Sequence, residues 1–435
     1  MENIKSGELI QHKLHNGLTI QLKEIHTAPI ISTWIWYKVG SRYEVPGKTG
    51  LSHWVEHMQF KGTPKFPPGV LDKAISRIGG NWNAFTYLDW TTYFETLPAS
   101  NFEVSLELEA DRMTNSLFLP EEVERERTVV MSEREGSENN PLFRLNESVQ
   151  LAAFESHPYR FDVGGFMEDL QTISRDDLYN HYKNYYQPGN AILAICGDFN
   201  SSTMLKKVET YFETLTSTQT VVPNIQSEAI TSAEKYVDIS GPGETTYLQI
   251  VYHSPKANSD DFFALTILDS LLSGPSGLNM FGSGGTSNKT SRLYLELVEN
   301  EIAVSAYGSI QATIDPYIYD LHLTVHPNKT PEDVINVIDD QIHKLQDGRV
   351  TQEEISRSVK QARALFAYGS ENITNQAFWM GYSEIFAKYD WFTNYVEKLS
   401  SVSPEDIQHI AQKYLQEKNR VIGIYHPEIS QEAHQ

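Results

Sequence analysis

The chain has almost no sulfur chemistry to offer, with a single cysteine, Cys196, in 435 residues. One thiol excludes a disulfide framework and any cysteine-built zinc site. Its place in the apolar run 191–196 reads as a buried strand position, not a reactive one. Long apolar runs are missing too, since none approaches the roughly 18 residues needed to cross a bilayer. The polar opening residues contain no apolar stretch of signal-peptide type, so a cytoplasmic location with no membrane association is the expectation. Positive charge is scarce: 35 Lys and Arg face 57 Asp and Glu, a net charge of -22. That balance repels nucleic acid and acidic membrane surfaces and would draw cationic ligands. Plain solubility explains the same number equally well.

The remaining composition, 40% hydrophobic and 21% charged, is that of a folded globular protein. A chain of this length exceeds one ordinary core, and two large domains are expected. An internal repeat supports this. The segment 174–196, SRDDLYNHYKNYYQPGNAILAIC, aligns without gaps on 403–425, SPEDIQHIAQKYLQEKNRVIGIY, pairing Asp177 with Asp406, Tyr185 with Tyr414 and Asn190 with Asn419. Each copy reads as a Ser N-cap, an acidic first turn, an amphipathic helix and a short β-branched strand, one unit used twice. The Thr- and Ser-rich stretch 214–234 has no helical period and reads as a linker. The expected division is therefore residues 1–215, a linker at 216–235, and a homologous domain at 236–435.

Within the first half, residues 10–25 read as a hairpin turning at Asn16-Gly17, and 30–39 as a buried strand with two Trp. Helices are predicted near 50–60 and 70–78, strands at 82–88 and 91–97, and long helices at 101–117 and from 121 past 137. The second half repeats this order. Strands and helices mix without strict βαβ alternation, which points to an α+β fold: two homologous sandwich domains, each a largely antiparallel sheet with helices packed on it.

The segment GLSHWVEHMQFKG, residues 50–62, carries His53 and His57 one helical turn apart, so both imidazoles can reach one ion with Glu56 beside them. Two imidazoles and a carboxylate suit Zn2+, whose catalytic sites leave a position for water. The third ligand must lie elsewhere. Glu133, on the helix ERERTVVMSERE, is the best candidate, and Glu126, two turns earlier on the same face, could support a ligand from behind. On these residues alone a blander reading stands beside the metal one: His53 as a satisfied histidine on a half-buried helix, and Glu133 as one acid on a solvated face.

Further text is more specific. It includes Gly40-Ser41-Arg42 with Glu44, Gly50-Leu51 before the HxxEH motif, and Phe60-Lys61-Gly62-Thr63 after it. Gly80, Asn83, Ala84, Thr86, Asp89, Thr91 and Tyr93 follow, then Glu126 to Glu133, His157-Pro158-Tyr159, and Tyr186, Pro188, Asn190 and Gly197-Asp198. In these features the chain resembles, over nearly its whole length, the inverzincin peptidases that include pitrilysin, insulin-degrading enzyme and the mitochondrial processing peptidase. The resemblance implies that His53, His57 and Glu133 hold zinc, that Glu56 is the general base and that Glu126 is a supporting acid of the catalytic set. It implies a peptide substrate, taken unfolded into a chamber between two halves and paired along an edge strand at Asn83, Ala84, Phe85 and Thr86. For Asn83 a strand-capping amide is the alternative.

The chain departs from the pattern in its second half. Self-sufficient members carry an Arg and a Tyr that hold substrate and the developing oxyanion. Ser291-Arg292-Leu293 and Leu297 match that segment, but Val298 stands at the Arg position and Ser305 at the Tyr position, with Arg292 and Tyr307 out of register. The second half has LTILDSLL where the first has its motif. The expectation is a heterodimer, in which a homologous zinc-free chain supplies the Arg and Tyr. A self-sufficient homodimer and a non-catalytic scaffold are the alternatives. The Gly- and Ser-rich loop 273–291 resembles a substrate-contacting loop of the non-catalytic mitochondrial subunit, and a plain connector is the other reading.

Overall fold

The computed structural model describes residues 7–228, 233–275 and 288–428, the side chains at 71 and 72 aside. Most of the Gly-rich loop, 276–287, and part of the linker, 229–232, lie outside the described residues.

The first sheet contains β1 (Leu9–Lys13), β2 (Thr19–Glu24), β3 (Ile30–Tyr37), β4 (Asn81–Thr86), β5 (Thr91–Pro98) and β6 (Ala191–Gly197), in the order β1-β2-β6-β3-β5-β4. The β1–β2 turn passes through Asn16-Gly17, where Gly17 takes φ 95°, a left-handed value that a side chain would resist. The second sheet contains β7 (Lys235–Pro242), β8 (Tyr247–His253), β9 (Ala303–Ile310), β10 (Ile318–Val325) and β11 (Arg420–Glu428), in the order β7-β11-β8-β10-β9. In each sheet one pair is parallel, β2 with β6 and β7 with β11, and the other pairs are antiparallel. Without β1 the two orders coincide, so the repeat extends to the whole sheet plan. Helices Arg175–Tyr185 and Pro404–Tyr414 both start at a capping box, Ser174 with Asp177 and Ser403 with Asp406. Each runs through a short turn into its strand, β6 or β11. Cys196 is buried in β6, where loss of water pushes its thiol up to about 12.

The compact units are not contiguous halves. One comprises Met1–Glu135, Phe161–Ile225 and Ser370–Phe392, and the other Gly136–Arg160, Gln226–Gly369 and Thr393–Gln435. The contiguous division expected from sequence therefore differs at two segments, each carrying a helix that packs on the sheet of the other half. Helix Pro141–Ala153 lies on β7, β8 and β11, and helix Ile373–Phe386 lies on β3 and β6. The physical reason is visible in β3. Its alternate residues Ile35 and Tyr37 join the core of the first unit, whereas Trp34 and Trp36 point to the other face and are also fully buried. A strand that is apolar on both faces needs cover on both. Phe378 supplies it edge-on, 5.5 Å from Trp34 and 5.3 Å from Trp36, and Gly381 lets the Trp36 indole lie against the helix backbone.

Among the described residues no helix is long and apolar enough to cross a membrane.

Gly381→Ala would drive a methyl group into Trp36, and overpacking of this kind costs about 1–3 kcal/mol. Gly136→Ala is the control, because that helical position has nothing within 4 Å of an added Cβ. It should be neutral or stabilising by about 0.5–1 kcal/mol. Thermal unfolding of the two variants checks this, and equal midpoints would contradict the packing described.

Candidate metal centre

The motif helix, Leu51–Met58, buries Leu51, Trp54, Val55 and Met58 at helical spacing, which turns His53, Glu56 and His57 away from the core. Its first turn is held by Glu44, whose two carboxylate oxygens accept from the Gly50 and Ser52 amides at 2.7 Å each. Gly50 takes φ 87°, and a Cβ there would lie 2.9 Å from the Gly164 carbonyl oxygen. A glycine is required at that start.

The acidic helix, Pro120–Glu138, packs Val123 and Val130 into the same core. Arg127 lies over the Trp54 ring, 4.8 Å from its centroid, tying the two helices together. Three ligand atoms converge where they meet. His53 Nε2 and His57 Nε2 are 3.2 Å apart, and Glu133 Oε2 is 3.6 Å from His57 Nε2 and 3.9 Å from His53 Nε2. Among the described residues this is the one trio of His, Cys, Asp or Glu so arranged. Zinc sits about 2.0–2.2 Å from imidazole nitrogen and carboxylate oxygen, and atoms with these separations can share a centre at about 2.1 Å. The donor set fits zinc.

Glu126 stands behind the two imidazoles. Its Oε1 lies 2.9 Å from His57 Nδ1, and its Oε2 pairs with Lys61 Nζ at 2.6 Å. Nothing in the sequence signalled the pairing of Lys61 with Glu126, because Lys61 lies past the end of the motif helix, which stops at Met58. Burial alone would raise the Glu126 pKa, yet its bonds to His57 and Lys61 lower it overall. Burial and the neighbouring His57 hold His53 down at about 4. Burial also works against a charge on His57, but Glu126, Glu133 and Glu56 outweigh it and its pKa rises.

Glu56 lies on the same turn, its pKa raised chiefly by burial, and its Oε2 accepts from the Thr86 hydroxyl at 2.6 Å. Thr86 belongs to β4, an edge of the first sheet. The Tyr87 amide donates to the Trp90 carbonyl at 2.8 Å. Antiparallel alternation then directs the backbone groups of Ala84 and Thr86 to the free edge. Asn83 turns its side-chain oxygen onto the Ala84 amide at 2.9 Å. Phe85 stacks on Phe94, with ring centroids 6.2 Å apart. Of the four residues assigned to substrate, Thr86 reaches the constellation through its hydroxyl.

In the second unit Val298 ends the π-helical turn Tyr294–Val298, and Ser305 on β9 donates to Thr324. Arg292 is engaged by Glu354 at 2.8 and 3.1 Å and by the Arg349 carbonyl at 2.6 Å. Tyr307 stacks on His322, with centroids 5.1 Å apart.

Two family profiles match the chain, one described as insulinase (peptidase family M16) over residues 19–163 and the other as peptidase M16 inactive domain over residues 172–362. The chain belongs to the M16 peptidase family. Among its M16 relatives, the Helicobacter pylori zinc protease PqqE is 29% identical over 416 residues, covering 93% of this chain and 89% of that protein. A probable mitochondrial-processing peptidase subunit beta from Arabidopsis thaliana is 25% identical, covering 95% of this chain and 77% of its own length. The crystal structure of a protease from Helicobacter pylori superposes with a TM-score of 0.89 at 27% identity, over 97% of this chain and all of the other.

The two histidines differ in how they compete with protons for metal. Zinc takes neutral imidazole, so below the raised pKa of His57 a single proton must leave for each ion bound. His53 stays neutral down to about 4. Zinc affinity should therefore fall about tenfold per pH unit between those limits, one proton per ion. Chelator competition across pH measures the slope, and a hundredfold fall per unit would contradict the asymmetry.

Proposed function

We propose that the chain is the zinc-bearing subunit of a metalloendopeptidase that hydrolyses unfolded peptides and works with a homologous, zinc-free partner chain. The observation that carries the reading is the convergence of His53, His57 and Glu133, with Glu56 on the same helical turn and a free strand edge beside it.

In this reading His53 and His57 bind through Nε2 and Glu133 through a carboxylate oxygen, while Glu126 fixes the His57 ring. Zinc, when bound, supplies Lewis acidity that polarises a carbonyl and acidifies water. Glu56 takes the proton from the attacking water and returns it to the leaving amine. A buried carboxyl with a raised pKa is suited to both halves of that task. The substrate takes the place of the Asn83 side-chain oxygen on the Ala84 amide and pairs its main chain with Ala84 and Thr86 at the β4 edge, which gives affinity with little demand on sequence. A cytoplasmic site of action belongs to the same reading.

The partner follows from the second unit. Val298 and Ser305 occupy the positions where the family pattern has Arg and Tyr, and the nearby Arg292 is already committed to Glu354. One missing oxyanion donor typically costs about 3–4 kcal/mol, a hundred- to a thousandfold in rate. The isolated chain should therefore be feeble, and mixing it with the partner chain should raise quenched-peptide cleavage by at least about a hundredfold. Full activity from the pure chain would overturn the heterodimer. Glu56→Gln should abolish chelator-sensitive turnover while metal analysis still finds zinc. A Gln variant that cleaves normally would remove Glu56 from its role.

A further inference from the structure

We propose that Thr86 is a positioning residue whose hydroxyl locks the carboxylate of Glu56, while Thr91 and Tyr186 keep that hydroxyl free for the task. This rests on the reading of Glu56 as the proton carrier.

Thr86 shares a face of β4 with Ala84, which is packed into the core of the first unit, so its side chain turns toward the motif helix. Its hydroxyl has one hydrogen and two neighbouring acceptors, Glu56 Oε2 at 2.6 Å and Thr91 Oγ1 at 3.4 Å. The shorter, charge-assisted bond takes the hydrogen. Thr91 cannot compete for Glu56, because its own hydrogen goes to the Val39 carbonyl at 3.0 Å. The Tyr186 hydroxyl, fully buried, lies 3.2 Å from Thr91 Oγ1 and 3.4 Å from the Ser52 carbonyl oxygen, and with either acceptor its hydrogen is spent away from Glu56. The hydrogens of Thr91 and Tyr186 thus point elsewhere, and of these three hydroxyls that of Thr86 is the donor to Glu56.

The consequence is orientation. A glutamate has three rotatable bonds, and a carboxylate held by one oxygen at 2.6 Å presents the other in a single direction. Threonine is stiff at χ1, so the constraint passes to the β4 backbone. That same residue directs its main-chain groups to the free edge, so a peptide pairing there and the carboxylate that serves it are fixed by one residue.

The test compares Thr86→Val, Thr86→Ala and Thr86→Ser, each zinc-loaded, in whichever form, alone or with its partner chain, the wild type cleaves a quenched peptide. Losing an outer-layer partner commonly costs about ten- to a hundredfold. Val and Ala should lower kcat by that factor, with KM within about twofold, and Ser should restore it. Crystal structures of the zinc-loaded Val or Ala variant should show the Glu56 carboxylate in more than one orientation, against one in the wild type. Unchanged kcat, a loss confined to KM, a Ser variant as slow as Val, or a single Glu56 orientation in the variants would overturn the proposal. If Val does not fold, Ala gives the same reading. Glu56→Gln separates the two failures: an active Gln variant defeats the role of Glu56 itself, whereas an inactive one beside a fully active Thr86→Val defeats only this inference.

Discussion

The carboxylate of Glu126 sits 2.9 Å from Nδ1 of His57, and that bond decides what the other side of the ring can do. A neutral imidazole has one N–H and one lone pair. With the hydrogen held at Nδ1, the lone pair is left at Nε2, which faces His53 Nε2 at 3.2 Å. Two ring nitrogens that close are reconciled only by a shared hydrogen or a shared cation, and Glu133 brings a carboxylate to the same point. Glu126 is itself nearly buried, a position that would be costly for a lone charge. Lys61 at 2.6 Å offsets that cost, so a half-buried lysine helps decide the tautomer of His57 two bonds away.

The duplicated plan gives this site its frame, and it was put to different use in the two units. Apart from β1, both sheets keep the same strand order and the same capped helix ahead of the last-added strand. In the second unit the counterpart of the motif helix, Asp260–Leu272, is buried on every side from Phe262 onward. Asp269 there accepts from Ser273 at 2.6 Å and Tyr319 at 3.0 Å. Polar groups satisfied internally in this way stabilise a core and leave nothing to bind an ion. The second half of the chain still serves the first, because helix Ile373–Phe386 covers the tryptophan face of β3.

Much of this was legible in the sequence where local chemistry speaks. The capping boxes at Ser174 and Ser403, the Asn16-Gly17 turn and the apolar spacing of the motif helix each carry their own signal, and the strands and helices fall within a few residues of the predicted ranges. The spacing of His53, Glu56 and His57 specified a shared face, and the structure brings Glu133 and Glu126 to it. Less legible were features made by long-range packing. The exchange of residues 136–160 and 370–392 between units leaves no local mark. Two fully buried tryptophans on alternate positions of β3 were the one hint that its second face needed cover. The family resemblance implied Thr86 as a substrate contact, and only the structure shows its side chain committed to Glu56.

Anomalous scattering at the zinc absorption edge, recorded from crystals of the metal-loaded chain, would locate the ion among these side chains. One strong peak is expected in the first unit, about 2.1 Å from His53 Nε2, His57 Nε2 and a Glu133 carboxylate oxygen. A peak bound elsewhere, or one that leaves Glu133 out of contact, would contradict that shared site.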